Sequence, residues 1–270
     1  MTKGVKMERK IGILSLSYLV FLALLLASGM LSGAYGYAVY FLAFLIPFAI
    51  CIIHIKKDKE AAASHLGFGK RALCHTLVLS APSVALIMAI SAVTSMIVFA
   101  LTEKTNDVDV GSSLVLALIS HAIVPAVMEE GLFRYLPMRL LSAHSKRVTV
   151  LVSAFFFSLI HHSVFSFFYA FVAGVIFMSV DLALNSIWPS VIIHIVNNAV
   201  SVLLMFGFGA AVYPCIFALC AISIAVIVLK RAEYKKLFSP LLACGEKFRI
   251  TSELAVFTVV NLLIAIVALF

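Results

Sequence analysis

The sequence predicts an all-α fold, a polytopic membrane helical bundle of about eight or nine transmembrane helices. Two observations lead to this prediction. Hydrophobic residues make up 64% of the 270 residues, and the mean hydropathy of +1.17 lies far above that of soluble domains. The apolar residues also occur in runs of roughly the 17–25 residues that cross a bilayer as a helix, separated by short polar stretches.

Nine such runs follow one another along the chain. The predicted spans are 11–29, 34–54, 73–101, 113–141, 148–162, 164–184, 188–207, 210–229 and 255–270. Their polar content divides the chain into three parts. Residues 1–112 hold N-terminal transmembrane scaffold helices without a carboxylate inside a span, 113–205 form a core with frequent polar residues, and 206–270 hold C-terminal transmembrane helices.

The basic residues lie on one side of this bundle if the N-terminus is cytoplasmic. Of the 20 Lys and Arg residues, four fall in residues 1–10, five in 55–72, three in 135–147 and six in 230–249. In that orientation all four stretches face the cytoplasm, as the positive-inside rule requires. A basic face against anionic lipid explains the net charge of +8, so no nucleic-acid partner is predicted.

The fourth span contains the charged residues that most need an explanation. Glu129, Glu130 and Arg134 lie within six residues of an apolar run, and an ionisable group at the bilayer centre costs roughly 2.5–3.5 kcal/mol on insertion scales. Glu130 and Arg134 are four residues apart and can pair on one helix face, whereas Glu129 points about 100° away. Glu129 is therefore the spare carboxylate and a candidate general base. The alternative is a structural salt-bridge cluster that joins two helices.

Two later spans carry further residue pairs at helical spacing. Phe157 and His161 are four residues apart, as are His194 and Asn198, so the members of each pair share a helix face. A lone histidine on an apolar helix is more often a hydrogen-bonded core residue. Each pair is therefore weak evidence for a site when taken alone.

The depths of these residues in the membrane strengthen the evidence that the three motifs form one site. Counted at 1.5 Å per residue, Glu129 and His161 lie roughly 18 and 20 Å from the basic loop between their spans. His194 lies only about 9 Å from the start of its own span. We expect the three side chains to converge on one water-accessible cavity that opens to the basic side, provided that the connection at 185–188 dips into the bundle.

In this order the motifs resemble those of the CAAX-protease and bacteriocin-processing family (CPBP), also called the Abi family. Its pattern of E-E-x-x-x-R, F-x-x-x-H and H-x-x-x-N or H-x-x-x-D is present at 129–134, 157–161 and 194–198. The resemblance covers about 113–205. It implies an intramembrane endopeptidase of the bacterial plasma membrane, acting on a peptide or protein with or without an attached lipid.

The resemblance also implies a role for each motif residue. Glu129, helped by His161, would activate the attacking water, and His194 and Asn198 would donate hydrogen bonds to the oxyanion. The residues expected to support this site are Glu130, Arg134 and Phe157. No cofactor is implied.

Two alternatives remain open from the sequence. A divalent metal such as zinc could be bound by Glu129, His161 and His194, with water as the fourth ligand. A non-catalytic bacteriocin-immunity or scaffold protein could instead retain the motifs as a polar core. The chain has no H-E-x-x-H and no G-x-S-x-G within a span, so the corresponding zinc and serine hydrolases are not predicted.

Overall fold

The computed structural model describes residues 3–58, 82–93, 96–97, 100, 113–162, 164–242 and 250–267. Their secondary structure is helical, with no strand among them, which confirms the predicted all-α membrane bundle. In chain order the helices are α1 (Lys3–Gly29), α2 (Gly33–Lys57), α3 (Pro82–Val93), α4 (Leu114–Leu140), α5 (Lys146–Leu159), α6 (Val164–Leu184), α7 (Trp188–Met205), α8 (Gly209–Leu229), α9 (Arg231–Leu242) and α10 (Ser252–Val267).

Within the described part of the chain, six helices are long and apolar enough to cross a membrane, namely α1, α2, α4, α6, α7 and α8. The other three predicted spans do not correspond to any of these six helices. The span 148–162 corresponds to α5, with 14 residues, and the span 255–270 to α10, with 16 residues, while about half of 73–101 lies outside the described residues. Helix α5 begins two residues before the predicted span and ends three residues before the end of that span.

The motif helix α4 is not a regular α-helix. It widens into two π-helical segments, Leu118–Ile123 and Gly131–Tyr135, and each is followed within two residues by a proline, Pro125 or Pro137. Proline has no N–H, and its ring clashes with the carbonyl four residues earlier, so a wider turn before it relieves the clash. The two prolines therefore explain the irregular shape of the helix that carries the glutamates.

Helices α5 and α6 pack closely against each other. A Cβ atom at Gly174 of α6 would lie only 2.8 Å from the Cα of Ala154 in α5. Glycine is therefore required at this crossing, and the close approach places Phe157 and Phe177 on the same side of the pair, against Arg134 of α4.

The connection between α6 and α7 is buried at Ser186 and Ile187. Ile187 belongs to a buried cluster with Met138 of α4 and Val150 of α5, each about one turn from the basic end of its helix. Asp181 of α6 accepts hydrogen bonds from the backbone N–H and the hydroxyl of Ser190, at 3.1 and 2.6 Å. This carboxylate satisfies a donor in the first turn of α7. The first turn of α7 is thus held against α6, and the expected dip of the connection at 185–188 stays a prediction.

Helix α9 covers the basic end of the bundle. Its Leu237 is buried in a cluster with residues of α3, α6 and α7, and its Leu241 packs against the cluster around Ile187. Side chains therefore fill the space between the polar core and the basic end.

Candidate active site

Glu130 and Arg134 form the ion pair that their spacing predicts. Arg134 Nε lies 3.1 Å from Glu130 Oε2, and neither side chain is exposed to solvent. Arg134 Nη1 donates to the hydroxyl oxygen of Ser153 at 3.1 Å, and the guanidinium lies 4.4 Å from the centroid of the Phe157 ring. The arginine thereby joins the first motif on α4 to the second on α5.

His194 lies between the two glutamates. Its Nδ1 is 2.8 Å from Glu130 Oε1, and its Nε2 is 3.8 Å from Glu129 Oε2. An ionised carboxylate only accepts hydrogen bonds, so Nδ1–H donates to Glu130 and Nε2 faces Glu129. Residue spacing did not predict this bond because it depends on how α7 packs against α4.

Glu129 is the less constrained of the two carboxylates. Its side chain is 20% exposed, whereas that of Glu130 is fully buried. The approach to His194 at 3.8 Å is too long for a hydrogen bond, and Arg134 is paired with Glu130. The carboxylate of Glu129 can therefore bind water or a substrate proton, in agreement with the helical spacing.

His161 lies in the turn after α5, not within a helix as the predicted span assumed. Its Nδ1 is 2.8 Å from the carbonyl oxygen of Phe157, and the two rings meet edge to face with centroids 4.8 Å apart. Because a carbonyl only accepts, Nδ1 carries a proton and Nε2 of the neutral ring keeps its lone pair. Phe157 thus orients His161 through its backbone and Arg134 through its ring.

Asn198 lies one turn beyond His194 on α7. Its Oδ1 accepts a hydrogen bond from Asn197 Nδ2 at 3.4 Å. This bond orients the amide of Asn198 so that its NH₂ group serves as the donor.

A pocket of about 270 Å³ brings the three motifs together. The motif residues that line it are Glu129, Phe157, His161, His194 and Asn198. The other lining residues are Ile87, His121, Pro125, Tyr169, Ala173, Phe177, Asn197, Ser201, Val202 and Met205. The wall therefore combines residues of α3, α4, α5, α6 and α7 with the turn after α5.

The pocket extends away from the basic end of the bundle. His194 and Phe157 are buried at one end of the lining, whereas His121 and Ser201 are exposed at the other. Ser201 lies thirteen residues into α7, roughly 20 Å from the start of that helix. In the described part of the chain, α9 and the cluster around Ile187 lie at the basic end, so these contacts favour an opening at the opposite end, and the expected opening on the basic side stays an untested prediction.

Ser153 and Tyr169 lie outside the motifs but contact motif residues. Ser153 donates to the carbonyl of Phe133 at 2.5 Å and accepts from Arg134. Since Ser153 precedes His161 by eight residues, on the same helix face as Phe157, its spacing is a signal that could have revealed it. Tyr169 lies across a turn from His161, with ring centroids 5.9 Å apart, and no spacing rule connects the two.

The described residues contain no group of three or more His, Cys, Asp or Glu side chains in an arrangement that could hold a metal ion. Glu129, His161 and His194 share the pocket without forming such a group.

Comparison with known proteins extends the sequence resemblance. Residues 111–200 match the family model described as Type II CAAX prenyl endopeptidase Rce1-like, and all three motifs fall within the matched residues. No match was found among curated proteins or among solved structures. The match supports an intramembrane protease kind of function, with a peptide substrate and a lipid bilayer as partners. Residues 111–200 of this integral membrane protein are therefore similar to the Rce1-like type II CAAX prenyl endopeptidases.

Proposed function

We propose that the protein is a glutamate-type intramembrane endopeptidase in which Glu129 activates the attacking water. The proposal rests on the different surroundings of the two glutamates. Glu130 is buried, ion-paired with Arg134 and bonded to His194, whereas Glu129 lines the pocket without a hydrogen-bonded partner among the described residues. A carboxylate in this position can take up a proton and later release it.

The proposed reaction proceeds in two steps. Water attacks the scissile carbonyl carbon while Glu129 accepts its proton, and the Nε2 lone pair of His161 orients the water. The carbonyl oxygen becomes an oxyanion that receives hydrogen bonds from the doubly protonated imidazole of His194, through Nε2, and from the Asn198 amide. Glu129 then gives its proton to the leaving nitrogen as the C–N bond breaks. The products are a carboxylic acid and an amine.

The substrate and the setting follow from the same proposal. The name of the matched family makes a peptide with a prenylated end the first substrate class to test. The charge distribution favours a cytoplasmic N-terminus, and the resemblance favours the bacterial plasma membrane. The division into scaffold helices at 1–112, a catalytic core at 113–205 and C-terminal helices at 206–270 belongs to this proposal.

The direct test is Glu129→Gln, compared with Glu233→Gln on the exposed surface of α9 as the matched control. We expect Glu129→Gln to lower cleavage of a reporter peptide by about 10²–10⁴-fold, because the general base is lost. Its melting temperature should stay close to that of the wild type, since Glu129 has no short bond to lose. Full activity in Glu129→Gln would refute the mechanism. A loss of folded protein would support the alternative of a structural polar core.

The zinc-dependent alternative is distinguished from the proposed mechanism by the same cleavage assay after exhaustive chelation. The metal content is measured in the same sample. The proposed mechanism expects activity to persist, because Glu129 and His161 supply the base and His194 and Asn198 supply the donors. Activity that disappears and returns with zinc, at about one zinc per chain, would assign Glu129, His161 and His194 as ligands instead.

A further inference from the structure

The π-helical turn before Pro137 releases two buried carbonyls from the regular hydrogen-bonding pattern of α4. The N–H of Leu136 bonds to the Gly131 carbonyl, five residues back, and not to the Leu132 carbonyl four residues back. Pro137 has no N–H for the carbonyl of Phe133. Buried carbonyls in a membrane protein must be bonded elsewhere, because lipid supplies no donor.

Side chains of two neighbouring helices bond these carbonyls. The Phe133 carbonyl accepts from the Ser153 hydroxyl of α5, at 2.5 Å, and from Arg134 Nη1, at 3.1 Å. The Leu132 carbonyl accepts from the Tyr18 hydroxyl of α1, at 2.7 Å. Tyr18 is fully buried and lies 114 residues away in the sequence, so the contact is a specific tertiary one.

The ring and the hydroxyl of Tyr18 have separate contacts. The ring packs against Phe133 and Phe156, with centroids 4.8 and 4.7 Å away, and against Phe257 of α10 at 6.2 Å. The hydroxyl bonds only to the freed carbonyl of Leu132 among the described residues. Phenylalanine at this position would keep the packing and remove only that bond.

We infer that Tyr18 is a positioning residue, which holds the π-helical turn of α4 and thereby sets the direction of Glu129 relative to the side chains that follow this turn. If this turn relaxed to the α-helical pattern, the residues before it would rotate about the helix axis relative to the residues after it. The reason is that a π-helical segment has more residues per turn than an α-helix. Helix α1, which carries no motif, then belongs to the active site. This inference rests on the proposed function for its catalytic consequence.

The test is Tyr18→Phe, with Ser15→Ala as the matched control. Ser15 is also buried in α1, and its hydroxyl donates to the carbonyl of Ile11 within the same helix. In Tyr18→Phe we expect kcat on a reporter peptide to fall about tenfold or more, because small displacements of catalytic groups are costly. KM should stay within about twofold, since the pocket lining that binds substrate is unchanged.

A second measurement does not depend on peptidase activity. Hydrogen exchange at the backbone amides of 133–136 should be at least about fivefold faster in Tyr18→Phe than in the wild type, and unchanged in Ser15→Ala. A wild-type protein without peptidase activity would refute the proposed function, while exchange would still show whether Tyr18 holds the turn. Unchanged kcat in an active enzyme, unchanged exchange, or a loss of activity equal to the loss of folded protein would each overturn the inference.

Discussion

The buried charge of Arg134 gives the clearest stability prediction at the scale of single residues. Arg134→Ala leaves the Glu130 carboxylate without its cation in a site with no exposure, so the free energy of unfolding should fall by about 3–5 kcal/mol. Thermal denaturation in detergent measures the effect. The double variant Glu130→Gln/Arg134→Met removes both charges and should recover part of the loss. An unchanged melting temperature in Arg134→Ala would contradict the ion pair.

Residue spacing predicted the pair of Glu130 with Arg134 and the separate direction of Glu129, because both follow from the geometry of one helix. It did not predict that His194 donates to Glu130, since that bond depends on the packing of α7 against α4. Contacts within an element are thus readable from sequence, whereas contacts between elements require the tertiary structure.

At the scale of secondary structure elements, the shape of α4 depends on Pro137. Pro137→Ala restores an N–H that can bond to the Phe133 carbonyl in the α-helical pattern. We expect this variant to keep or raise the melting temperature while reporter cleavage falls about tenfold or more, because the turn before Pro137 aligns the charged residues. Pro214→Ala, inside α8 and outside the pocket lining, is the matched control. Wild-type activity in Pro137→Ala would show that the π-helical turn has no role in catalysis.

The prolines were visible in the sequence, but a regular span 113–141 was predicted because apolar composition does not report helical pitch. The end of α5 was also misjudged, because apolar composition does not mark the turn at Ile160, which is followed by His161 and His162. The same turn is bonded to α10, where Asn261 Oδ1 accepts from His162 Nε2 at 3.0 Å. Helix α10 therefore contacts the segment next to the candidate site, which the sequence did not indicate.

At the scale of the whole molecule, the class of the fold was predictable from the sequence. Bilayer thickness determines the length of the apolar runs, and the positive-inside rule determines where the basic residues lie. The convergence of three motifs was also predictable from depth. The open end of the pocket was not, because it depends on α9, whose apolar side chains cover the basic end of the bundle. The sequence does not indicate that α9 covers this end, because a polar twelve-residue helix within a basic stretch resembles a loop.

The side from which the pocket is reached can be tested by labelling. In a chain whose native cysteines are replaced, Ser201→Cys should react with a membrane-impermeant thiol reagent only from the side opposite the basic loops, because Ser201 lines the exposed end of the pocket. Lys235→Cys on the exposed surface of α9 should react only from the basic side, which makes it the matched control. Intact and inverted vesicles present the two faces in turn. Labelling of position 201 from the basic side alone would restore the opening that the charge distribution first suggested. It would also show that the cluster around Ile187 does not close the pocket in the membrane.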